Sequence, residues 1–84
     1  AVDEQRGLEA LRELTAEIRG AAEAALAPSK QAWLYERAVT EQESAARMAG
    51  EGLVPRAAEQ YILAAFLFEK AKEVSLESAQ AGRS

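Results

Sequence analysis

The sequence predicts an all-α protein: three long helices, over about 3–26, 29–50 and 54–80, joined by two short breaks and packed as an antiparallel up-down-up bundle. Three observations lead to this. Apolar residues recur at spacings of three and four through three separate stretches. The breaks between them, Ala27-Pro28-Ser29 and Gly50-Glu51-Gly52, carry the residues that end helices. After the second break, residues 57–71 read Ala57-x3-Tyr61-x2-Ala64-x3-Phe68-x2-Ala71. Side chains three and four apart stack on one side of a helix, so these five share a face. The small residues admit a neighbouring helix and the aromatics fill the space between, as in a helix built to dock on helices.

The first helix starts at Asp3 or Leu8 and runs to about Leu26. Leu8, Leu11, Leu14, Ile18, Ala22 and Ala25 form its apolar side. Glu9, Arg12, Glu13, Glu17, Arg19 and Glu23 form the other. Gly20 is unfavourable in a helix interior and marks either a close helix crossing or a kink. Pro28 suits the first turn of the next helix, and Ser29 is a residue type that caps one. The second helix then turns Tyr35, Ala38, Val39, Gln42, Ala45, Ala46 and Ala49 inward. Trp33 falls on its other side, among Glu36, Arg37 and Thr40. Glycine after residue 49 is the usual left-handed helix end, and Pro55 starts the third helix. Val54, Ala57, Tyr61, Ala64, Ala65, Phe68, Ala71 and Ala79 make the main face of that helix, widened by Leu63, Leu67 and Val74. Residues 81–84 read as a tail. The expected core is Leu11, Ile18, Tyr35, Val39, Tyr61, Ala64, Phe68 and Ala71.

An 84-residue chain is one domain. Because it starts at Ala1 rather than Met, a processed chain or a piece of a longer protein is expected. The hydrophobic share is 49%, yet aromatics are only 6% and alanine supplies much of the rest, so the helices must pack closely to bury enough. A core this thin supports only about 3–5 kcal/mol. The net charge is −4, with ten basic residues scattered singly among fourteen acidic ones. That excludes the clustered Lys and Arg needed for nucleic acid or an anionic membrane surface. The longest apolar run, residues 61–68, is far short of a bilayer span. The charged, amphipathic start does not read as a signal peptide. Cytoplasm is the favoured location, although the absence of Cys leaves the redox compartment open.

The stretch Ala57-x3-Tyr61-x2-Ala64 resembles the second helix of a tetratricopeptide repeat. With Gly52 before it and an Ala-rich helix before that, residues 38–71 are also similar to the hairpin of microtubule-interacting-and-trafficking (MIT) modules. The second helix lacks the Trp-Leu-Gly-Tyr framework of a tetratricopeptide repeat, and helices this long fit the MIT-like outline better. The resemblance implies an α-helical hairpin that binds a peptide or a partner helix, and no particular binding residues.

Chemistry is missing from the sequence. There is no His, hence no usual general base or common metal ligand, and no Cys, hence no thiol nucleophile or structural zinc site. The pairs Glu13/Glu17 and Glu41/Glu43 lie off the apolar faces, where solvated carboxylates are ordinary. Gly50-Glu51-Gly52 has neither the strand nor the further glycine of a phosphate loop. Leu53-Val54-Pro55-Arg56 resembles a thrombin recognition stretch, with Ala57 where Gly-Ser is usual. An enzyme, a cofactor site and a small-molecule substrate are therefore not expected.

The third helix has more apolar surface than one interface needs. Ile62 and Phe66 lie about 100–140° around from Tyr61, beside Glu59, Glu69 and Glu73. Either this helix is central and the other two cover everything, or Ile62 and Phe66 form an exposed contact patch. Trp33 is likewise either packed near the first break or a contact residue. The expected function is a non-catalytic protein–protein interaction module that docks a partner helix or peptide through Ile62, Phe66 and Trp33. The alternative is a scaffold-type unit whose copies self-assemble into a larger complex.

Overall fold

The computed structural model describes the backbone of residues 2–81 and the side chains of 3–79. The described residues are 92% helical and contain no strand. The elements are α1 (Val2–Ala24), α2 (Ala27–Lys30), α3 (Ala32–Gly50) and α4 (Val54–Ala81). The tail at 82–84 lies outside the described residues. The body measures 53 × 19 × 14 Å, its length set by the 28 residues of α4, about 42 Å of helix.

α1 turns Leu8, Leu11, Thr15, Ile18, Ala22 and Ala25 inward, with Thr15 and Ala22 fully buried and the others half-buried. This corrects the expected apolar side, because Leu14 is exposed. The three-four rhythm through 11, 15, 18 and 22 selects position 15 and leaves 14 about 100° off. Thr15 can be buried because its hydroxyl donates to the Leu11 carbonyl at 2.7 Å and also lies 3.2 Å from the Tyr61 carbonyl across the α1–α4 seam. Gly20 is neither a crossing point nor a break: the helix runs through it, and nothing stands within 4 Å of where a Cβ would be.

The first break differs from the expected one. α1 ends at Ala24, and Leu26 takes a left-handed conformation, φ 66° and ψ 27°, which is unfavourable for a residue with a Cβ. The turn swings Ala27 into full burial. Pro28 sits in the first turn of α2. Ser29 caps nothing; its hydroxyl donates back to the Leu26 carbonyl at 3.1 Å. Gln31, at φ −132° and ψ 53°, then leaves the helical region. The expected helix over 29–50 is therefore two elements, a single turn and a long helix.

The second break is a Schellman end. The Gly52 amide donates to the Ala49 carbonyl at 3.1 Å and the Leu53 amide to the Met48 carbonyl at 2.9 Å. Gly52 stands at φ 80°, where only glycine is unstrained. The Arg56–Ala57 bond of the thrombin-like stretch lies inside the first turn of α4, with Ala57 fully buried.

On α4, Ala57, Tyr61, Ala64, Phe68, Ala71 and Ser75 are buried. The cluster around Phe68 draws Ala22 from α1, Ala27 from α2 and Ala38 from α3 together with Ala64 and Ala71. Ile18, Leu34, Tyr35, Val39 and Leu67 pack against it, half-buried, and Leu11 is half-buried further along α1. Tyr35 meets Phe68 edge-on, with centroids 5.5 Å apart and planes at 62°. Ala46, expected inside, is exposed on α3. α4 is the hub: α3 packs along it most extensively, α1 less so, and the backbones of α1 and α3 approach each other far less.

Candidate partner-binding face

α1 and α3 meet through side chains. The Arg19 Nε–H is shared between the Tyr35 hydroxyl oxygen at 3.1 Å and Glu23 Oε2 at 3.3 Å, and Nη1 donates to Gln42 Oε1 at 2.6 Å. The Tyr35 hydroxyl donates to Glu23 Oε2 at 2.5 Å. The guanidinium carbon of Arg19 also lies 5.7 Å from the Tyr35 ring centroid and 5.8 Å from that of Phe68. Donation from Tyr35, and then from Arg19, holds the Glu23 carboxyl below its ordinary value. Burial and the bond to Glu23 push the Tyr35 hydroxyl above its ordinary value, so at neutral pH it remains a donor. The network is a clamp over the core, and its groups satisfy one another.

Next to it, the first half of α1 and the last turns of α3 leave a cleft of about 370 Å³ floored by Tyr61. Its walls are Gln5, Leu8, Glu9 and Arg12 on one side and Ala46 and Ala49 on the other. Glu9 and Arg12 bond each other. A ligand pocket of this size works through convergent polar groups, and here the two charges neutralise each other one turn apart. Among the described residues no group of three or more acidic side chains is placed to hold a metal ion.

The outer side of α4 is different. Ile62 is 55% exposed, Phe66 65% and Leu63 37%. At spacings of four and three these side chains adjoin one another. Leu63, expected to widen the buried face, instead belongs here, because it lies about 160° around the helix from Tyr61. α4 is thus central without being covered all round: its two large neighbours sit on adjacent sides and leave the back of the helix open. Trp33 is 73% exposed. It stands on α3, off the face that carries the buried Ala38 and Ala45. Leu14, Leu26, Leu53 and Leu76 are exposed at separate places, as single apolar residues commonly are.

Two buried polar residues are not marked by hydropathy. Thr15 donates to the Leu11 carbonyl and lies near the Tyr61 carbonyl across the seam, and Ser75 is fully buried with its hydroxyl unpartnered. Both fall on the three-four stripe of their helix, which is the signal that locates them. No helix among the described residues is long and apolar enough to cross a membrane. Comparison with protein-family models, with curated proteins and with solved structures returned no match.

Proposed function

We propose that this chain is a non-catalytic interaction module that receives an α-helix on the outer face of α4. The observation that carries the reading is the adjoining trio Ile62, Leu63 and Phe66, exposed on a helix whose opposite side is fully buried. Large aliphatic and aromatic side chains in contact with water contribute nothing to the fold and are the groups that dominate binding when an interface closes over them. An exposed helical face with apolar residues at three-four spacing is read by another helix.

The architecture belongs to the same proposal: an up-down-up bundle of three long helices, α1, α3 and α4, with α2 as a one-turn connector. Thr15 at Tyr61, Tyr35 at Phe68 and Ala49 over Tyr61 support that order of direction. The glycine-ended hairpin of α3 and α4 supports the likeness to MIT-type modules, as architecture.

The test replaces Ile62 and Phe66 together by Ser. The variant should melt within a few degrees of the parent, since exposed substitutions stay near ±0.5 kcal/mol. It should also lose the parent's binding of a fluorescein-labelled synthetic amphipathic helix bearing a Leu/Phe stripe, followed by anisotropy. Unfolding of the variant, equal binding by both proteins, or a parent that neither binds the peptide nor self-associates would each remove the reading.

A further inference from the structure

The apolar trio on α4 continues in both directions as charge. Arg56, Glu59, Leu63, Phe66, Lys70 and Glu73 follow one another at intervals of three, four, three, four and three, and all six are exposed. They form one stripe about 100° wide on the back of the helix, with Ile62 along its edge. Its order is plus, minus, apolar, apolar, plus, minus. Among the described residues, none of the four charged members has an ion pair or hydrogen-bond partner within the chain, whereas Arg12, Arg19, Arg37 and Lys72 each have a carboxylate neighbour on their own helix.

This order is self-complementary in one direction only. If a second α4 lies antiparallel across the stripe, with a twofold axis between residues 64 and 65, Leu63 faces Phe66 of the other copy. Glu59 then faces Lys70, and Arg56 faces Glu73. The symmetry repeats each pair, so four charge contacts of opposite sign flank an apolar centre. Three-four stripes in antiparallel pairs match in this alternating way. In a parallel pair Arg56 would face Arg56, and Glu59, Lys70 and Glu73 would each face their own kind. We propose that the helix received by this face is α4 of a second copy, packed antiparallel in that register. The proposal rests on the helix-docking reading and names its occupant. The contact is isologous and closes on itself as a dimer. The apolar centre is small beside a standard interface, so the dimer is weak, and opposing surface charges make it weaker in salt.

Sedimentation equilibrium at low salt, up to about millimolar chain, measures the association. Glu59→Lys creates two like-charge contacts and should weaken it about tenfold. Glu59→Lys combined with Lys70→Glu restores both pairs and should return it to near the parent value. The chain has no Cys, so direction can be read separately. A mixture of the Glu59→Cys and Lys70→Cys proteins under oxidised glutathione should give mainly the mixed disulfide. Failure of the second charge change to rescue, or homodisulfides in preference to the mixed one, would overturn the register. A parent that stays monomeric while still binding the synthetic helix would overturn self-pairing and leave the docking face standing. A parent that does neither would remove both.

Discussion

Truncating Phe68 to Ala tests how this core is built. The ring is fully buried, and the small side chains around it are Ala22, Ala27, Ala38, Ala64 and Ala71. An alanine has no rotamer with which to move into a vacated volume, so the hole persists unless whole helices shift. That places the cost toward the upper part of the roughly 3–5 kcal/mol range for such truncations. The edge contact with Tyr35 and the guanidinium of Arg19 at 5.8 Å from the ring are lost as well, adding about 1 kcal/mol. Domains of this size have only some 5 kcal/mol or little more. The variant should therefore lose most of its helical signal at room temperature, or melt about 15–30 °C below the parent. Circular dichroism at 222 nm against temperature and urea reads this directly. Phe68→Leu, which keeps most of the volume, should cost about 1–2 kcal/mol. A Phe68→Ala protein melting within about 5 °C of the parent would refute the alanine-lined core.

Two further outcomes follow from single side chains. Glu23 is held below its ordinary value of 4.5 in the fold, so its contribution is complete above that value and is lost as pH falls through the lower folded one; Glu23→Gln should lower the urea midpoint at pH 7, the gap to the parent should shrink as pH falls below 4.5, and a gap that stays constant with pH would remove the clamp from the account. Ser75 buries an unpartnered hydroxyl, so Ser75→Ala should raise stability by about 1 kcal/mol in the same urea assay, and a loss would mean that the hydroxyl is bonded in solution.

The buried side of α4 was readable because Tyr61, Ala64, Phe68 and Ala71 alternate size at helical spacing, a pattern that only one face can hold. The end of α3 was readable because Gly52 takes a backbone angle that other residues avoid. The first break was not. Leucine gives no hint of a left-handed residue, and Gln31 is an ordinary helix former. What marks the bend is tertiary: Ala27 is fully buried beside the left-handed Leu26. Leu14 was favoured over Thr15 because hydropathy ranks leucine higher, while register ranks position 15 higher and the Leu11 carbonyl one turn back takes its hydroxyl proton. Exposure of Ile62, Leu63 and Phe66 depends on which sides of α4 its two neighbours occupy, and no single helix encodes that about itself.

The hub arrangement of α4 also orders events in time. α3 and α4 are joined by three residues, so their seam closes with little loss of chain freedom. α1 finds α4 only across α2 and the whole of α3, a separation of 46 residues at the Thr15–Tyr61 contact. The hairpin is thus the part of the chain able to nucleate on its own neighbours. The expected order is therefore hairpin first and α1 second, with Arg19 bonding Tyr35 and Gln42 as α1 docks.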